Sequence, residues 1–238
     1  MAKLGFSFGS RKEQIPRTDI LNTLLELNNE VVEIGFVDAS RLEQGLTKEE
    51  IEIIKQFKYI SLHAPAVVEN FQTGEKRFLS YSKPKTQNVI NLIQQLRKQV
   101  NLNTVLFHPD TIEDFDWLSA EFGEVLAFEN MDKNKNFGKT IEDMEKVFER
   151  CPWAKWVCDV NHIYTIDPTM RLAREFYQKL GERLCHYHLS AYGGFHAPFL
   201  DNPKEIIILE GIINKNVPIV HEGGATKRDL DFIRKEYE

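Results

Sequence analysis

Short apolar runs alternate with longer stretches of helical periodicity along the whole chain. The runs are Leu4–Phe8, Val31–Phe36, Tyr59–Leu62, Thr104–Phe107, Val125–Phe128, Trp156–Cys158, Leu184–Leu189 and Val217–Val220. They recur about every 30 residues, the length of one strand-plus-helix unit. Each is nearly continuous rather than alternating, as expected of a parallel strand buried on both faces. Between them, Leu21, Leu24, Leu25 and Asn28 follow an i, i+3, i+4, i+7 row. Val89, Ile90, Ile93, Leu96 and Val100 form a longer stripe, with Gln94, Gln95, Arg97 and Lys98 on the other side. Thr47 with Glu50 predicts a capping box, Asp167-Pro168 predicts a proline at a first helical position, and residues 226–238 predict a closing helix carrying Leu230 and Ile233.

Eight such units, undivided by any linker and without a G-x-G-x-x-G or P-loop, predict the α/β class. The expected architecture is a single (β/α)8 TIM barrel over residues 1–238 rather than an open doubly wound sheet. Ala66–Asn88 is longer than a crossover needs and carries Gly74 and Pro84, so it is expected to be functional or mobile.

Composition narrows the class. Apolar residues at 42% and charged residues at 28% describe a globular chain rather than a disordered one. No apolar run approaches the ~20 residues that span a bilayer, and Met1–Phe8 is too short and polar for a secretory signal. Three cysteines without a C-x-x-C spacing argue against a disulfide framework and a cysteine-built zinc knuckle. A cytoplasmic protein with reduced thiols is the simplest expectation. The net charge of −6 offers no global attraction for polyphosphate, which disfavours nucleic acid as a partner. No interface signal speaks to the oligomeric state.

In such a barrel the chemistry gathers at the carboxyl ends of the strands. Those ends carry His63, His108, Glu129, Asp159 with His162, His188 with His196 beyond it, and His221-Glu222. Converging imidazoles and carboxylates are explained by a divalent metal, with zinc, manganese or iron suiting the ligand types. By strand alternation His221 faces away from Glu222 and is read as supporting or structural, while His186 lies one layer below His188 in a packed, hydrogen-bonded role. Glu33, inside a buried run, either orients a ligand such as His63 or forms a structural bridge. Asp110 before Thr111 is read as a helix cap, and Cys158 and Cys185 as small core residues. Tyr192-Gly193-Gly194 reads as a turn that could close over a ligand. Nothing marks a serine or cysteine nucleophile.

The order H-x-P at His63, H-P at His108, E-N at Glu129, D-x-x-H at Asp159 and His162, H-L at His188 and a final Glu222 resembles the xylose isomerase-like TIM barrels. That superfamily includes sugar isomerases, sugar epimerases and endonuclease IV enzymes. The resemblance implies one metal held by Glu129, Asp159, His188 and Glu222, as in the epimerases. It implies a further metal at His63, His108 and Glu129, as in endonuclease IV. A third endonuclease site would use His162, His196 and an aspartate two positions before the latter, where this chain has Gly194. Strand seven continues as Leu189-Ser190-Ala191 instead of asparagine-aspartate-serine, and the arginine some epimerases carry nearby is also replaced near Gly194.

The leading expectation is a metal-dependent isomerase or epimerase of a sugar, sugar phosphate or related polyhydroxy carbonyl compound. It would use zinc or manganese, one or two ions per chain. Glu129 and Glu222 would exchange the proton, His162 would steady a substrate oxygen, and Tyr192 and His196 would contact the substrate. The alternative is an endonuclease IV-like zinc phosphoesterase with two metals, to which Lys76, Arg77, Lys83 and Lys85 would add phosphate contacts unless they are merely a solvated loop. A barrel that keeps the ligand set for binding alone is a third possibility.

Overall fold

A computed structural model describes residues 3–8, 15–36, 38–69, 76–191, 199–223 and 227–237. Eight parallel strands close into a barrel: β1 Leu4–Phe8, β2 Val31–Gly35, β3 Tyr59–His63, β4 Thr104–Phe107, β5 Leu126–Glu129, β6 Lys155–Asp159, β7 Leu184–Leu189 and β8 Ile219–His221. Each pairs with its chain neighbours, and β8 returns to β1 through Leu4 opposite Ile219. All eight runs become barrel strands, and the (β/α)8 expectation holds. No described helix is long and apolar enough to cross a membrane.

Helices cover the outside. Arg17–Glu26 buries Leu21 and Leu24, Gln87–Arg97 buries Ile90, Ile93 and Leu96, and Lys227–Tyr237 closes the chain. Thr47 and Glu50 form the expected capping box before helix Lys48–Ile54. Three local expectations are corrected. Asn28 lies past its helix with φ of 57°, a left-handed conformation that asparagine tolerates. Pro168 is not at a helix start: Asp167 accepts from the amides of Thr169 and Leu172, and this turn delays the helix to Arg171. Asp110 is not a cap, because its carboxylate pairs with Lys135 at 2.8 Å, and Asp114 caps helix Phe115–Phe122 through the Trp117 amide.

The long third connection holds an antiparallel hairpin, Val67–Glu69 with Lys76–Phe78. Of its basic residues, Lys85 pairs with Glu113, Arg77 and Lys83 are exposed, and the Lys76 side chain lies outside the described part. Between β7 and β8 the described crossover is a run of 3₁₀ turns, Pro203–Gly211, in place of an α-helix.

Two packing layers result. A large apolar core joins the strands to the helices, while a small cluster of Leu106, Ala127 and Val157, with Cys185 against it, lies apart. Cys158 is buried in the large core as expected. At the close approach of β1 to β2, a Cβ on Gly5 would overlap the Val31 carbonyl oxygen. Backbone cannot retreat there as a flexible side chain could. Gly5→Ala is therefore expected to destabilise the barrel by about 1–3 kcal/mol, read as a lower denaturant midpoint at unchanged slope.

Candidate metal centre

Barrel closure brings the strand ends to one mouth. His63, Glu129 and Asp159 are the last residues of β3, β5 and β6; His188 is the penultimate residue of β7; His108 and Glu222 directly follow β4 and β8. The placement of His188 depends on an irregularity in pairing. Trp156 faces Leu184, but Val157 faces His186 and Asp159 faces His188, so Cys185 is an extra residue in β7. Such a bulge shifts side-chain parity, and it sets His188 beside Asp159.

Among the described residues, two groups of potential ligands gather at these strand ends. One oxygen or nitrogen from each of Glu129, Asp159, His188 and Glu222 lies within 4.8 Å of the others, and the same is true of His63, His108 and Glu129. Glu129 belongs to both. Its Oε1 is 3.2 Å from His188 Nδ1, and its Oε2 is 3.3 Å from His108 Nε2 and 3.5 Å from His63 Nε2. Glu222 Oε1 lies 3.4 Å from His188 Nδ1.

Neighbouring groups hold these side chains in place. His63 Nδ1–H donates to the Ala64 carbonyl at 2.9 Å, turning Nε2 toward His108 and Glu129. Asp159 Oδ1 accepts from the His162 amide at 2.7 Å and caps helix Val160–Ile166. That same cap fixes His162 at the mouth, where its Nδ1 meets the Asn130 carbonyl at 2.9 Å. Asn130, singled out above only within its motif, ties β5 to β6. Its amide donates to the Asp159 carbonyl, and its Oδ1 accepts from the Asp159 amide and the Trp156 indole.

The donor set fits a divalent cation. Three carboxylates converge on one imidazole, and Glu129 Oε2 and Asp159 Oδ2 are buried with no hydrogen-bond partner. Buried anionic oxygens are costly without a counter-charge, and a cation supplies one. The electrostatics of these side chains point the same way. Burial opposes ionisation of Glu129, yet the surrounding imidazoles of His188, His108 and His162 hold its carboxyl well below the usual range. Burial, with Glu129 and Glu222 nearby, pushes Asp159 up to about 8 despite His162. Burial alone would lower His63 and His162, but the adjacent carboxylates lift both to about 9. His188 is raised well above its ordinary value against burial, and His108 is lowered by burial and by His63 beside it.

His221 is fully buried with its ring 5.8 Å from that of Phe6, and it belongs to none of the ligand groups among the described residues. His186 lies below His188 and meets the Tyr59 hydroxyl, as expected. Glu33 is corrected in its partner: it contacts His188 at 3.0 Å rather than His63. Tyr192, Gly193, Gly194 and His196 lie outside the described residues.

No protein-family model matches the chain, and no curated protein matches it in sequence. Solved structures do match. Endonuclease IV from Thermus thermophilus superposes with a TM-score of 0.69 at 13% identity, covering 99% of this chain and 97% of that one. The 3-keto-D-glucoside 4-epimerase from E. coli gives 0.64 at 13% identity, covering 99% and 100%. D-psicose 3-epimerase from Clostridium cellulolyticum, solved with D-tagatose, gives 0.59 at 15% identity, covering 99% of each. Identities this low speak to architecture alone: the chain shares the (β/α)8 barrel fold of these proteins.

Proposed function

We propose that this chain is a divalent-metal-dependent isomerase or epimerase acting on a sugar, sugar phosphate or related polyhydroxy carbonyl compound. The observation that supports it is the convergence of Glu129, Asp159, His188 and Glu222 within 4.8 Å at the barrel mouth. Those four residues would hold zinc or manganese. When bound, the cation supplies electrophilic stabilisation of the negative charge that develops on the substrate oxygens.

The remaining work falls to the chain itself. Glu222, with a side chain 19% exposed, is the carboxylate that reaches the open mouth and takes the proton from the carbon beside the carbonyl. Glu129, buried on β5 with its Oε1 against the same His188 Nδ1, delivers a proton of its own to the enediolate of the substrate, and both carboxyl groups then reset by exchange with solvent. His162, its Nδ1 committed to the Asn130 carbonyl, offers Nε2 to a substrate oxygen. Tyr192 and His196 complete the substrate contacts in this reading.

A second reading is favoured by one observation. His63, His108 and Glu129 form a complete three-ligand group that shares Glu129 with the first. Two ions across a shared carboxylate suit an endonuclease IV-like phosphoesterase, with zinc at both positions. Elemental analysis of protein purified without added metal separates the two. One tightly held ion per chain, with solvent deuterium incorporated during a screen of sugar phosphates, is the expected result. Two or three zinc ions and hydrolysis of phosphate esters, with phosphate released and no deuterium exchange, would overturn it in favour of the phosphoesterase.

A further inference from the structure

Below the quartet, the barrel carries a second polar layer, Glu33, Ser61 and His186, that the proposed chemistry leaves unused and that meets the quartet at His188. Glu33 on β2, Ser61 on β3 and His186 and His188 on β7 are all fully buried. Barrel interiors are commonly filled by branched apolar side chains. Here the four form a connected chain instead. Ser61 Oγ donates to Glu33 Oε2 at 2.8 Å, and His188 Nε2 meets the same oxygen at 3.0 Å. His186 Nε2 lies 3.6 Å from that oxygen, and its Nδ1 is 2.9 Å from the Tyr59 hydroxyl. Such a carboxylate is expensive to bury and calls for a physical reason.

The reason lies in the two nitrogens of one ring. His188 presents Nδ1 to Glu129 and Glu222, at 3.2 and 3.4 Å, and Nε2 to Glu33. A neutral imidazole can lend a lone pair at one nitrogen only when its proton sits on the other. We propose that Glu33 is the positioning residue of the metal centre: by accepting from His188 Nε2–H it fixes the tautomer and the ring plane that aim the Nδ1 lone pair at the quartet. An anionic acceptor behind the ring also strengthens the ligand. Ser61 holds the carboxylate from β3, where it stands opposite Glu33 in register, and His186 braces it from below. The inference rests on the quartet holding a cation.

Glu33, His186 and His188 also place donor atoms within 4.8 Å of one another, so this lower cluster could be read as a metal site of its own. His188 argues against that. To serve two cations its ring would have to lose both protons, and Glu33 Oε2 already accepts from Ser61.

The test is Co²⁺ titration of the wild type, Glu33→Gln and His186→Leu against a competing chelator, with ions per chain and the visible Co²⁺ absorption recorded. Glu33→Gln is expected to weaken Co²⁺ binding ~10–100-fold at unchanged stoichiometry, with an altered absorption band. His186→Leu is expected to keep the stoichiometry. If Glu33→Gln fails to fold, Ser61→Ala should show a smaller weakening in the same direction. Wild-type affinity in Glu33→Gln, or in Ser61→Ala where that variant stands in, would overturn the positioning role while leaving the quartet intact. Loss of one whole ion in both Glu33→Gln and His186→Leu would overturn it in favour of a second site. A wild type that binds no Co²⁺ would overturn the metal reading itself.

Discussion

Glu129→Gln is expected to abolish tight cation binding and, with it, turnover by at least ~10⁴-fold. Glu129 is the one carboxylate common to both ligand groups, and its side chain is only 1% exposed. Four imidazoles surround it: His188 and His162 at Oε1, His63 and His108 at Oε2, all between 3.2 and 3.5 Å. Glutamine keeps the shape but removes the charge and turns a donor toward rings that already crowd each other, His63 and His108 being 3.0 Å apart at Nε2. Losing one partner of a buried charge group costs about 3–5 kcal/mol, so the metal-free variant should also unfold at lower denaturant. Elemental analysis and denaturation after chelator treatment read both effects. Wild-type metal content in this variant would mean that Glu129 is not a shared ligand, and both functional readings would lose their basis.

The strands were legible because burial on both faces makes them continuous apolar runs, and the ligand groups were legible because barrel topology carries every strand end to one mouth. Glu129, Asp159, His188 and Glu222 lie on four different strands or their ends; three of them come at the end of an apolar run and His188 lies inside one. That placement predicted a convergence of imidazoles and carboxylates, and the resemblance picked these four out of it. What escaped depends on partners with no local trace. Glu33 and His188 are 155 residues apart and meet across the barrel interior, so sequence could suggest that Glu33 supports a ligand but not which one. The parity of β7 was hidden for a related reason: in Leu-Cys-His-Tyr-His-Leu nothing announces that Cys185 is an extra residue, and pairing with β6 decides it. Asp110 looked like a cap until Lys135, 25 residues on, claimed it. Pro168 looked like a helix start because the competing turn is made by the Asp167 side chain.

Glu222→Gln separates proton transfer from metal holding. Of the four quartet residues, Glu222 alone is not largely sealed from solvent, at 19% against 0–1% for the side chains of Glu129, Asp159 and His188. Its backbone is nevertheless fixed, since its amide donates to the Leu189 carbonyl at 3.0 Å and ties the end of β8 to β7. A carboxylate that is open to the mouth but held at its Cα suits proton exchange with a bound substrate. The amide of glutamine can still offer an oxygen to a cation but cannot accept a proton at neutral pH. Exchange of solvent deuterium into the substrate is thus expected to fall by about 10²–10⁴-fold while Glu129, Asp159 and His188 retain the metal with reduced affinity. Isotope incorporation followed by mass spectrometry, alongside metal content, distinguishes the two losses. Exchange at the wild-type rate in metal-loaded Glu222→Gln would remove Glu222 from the proton transfer and leave it a ligand only.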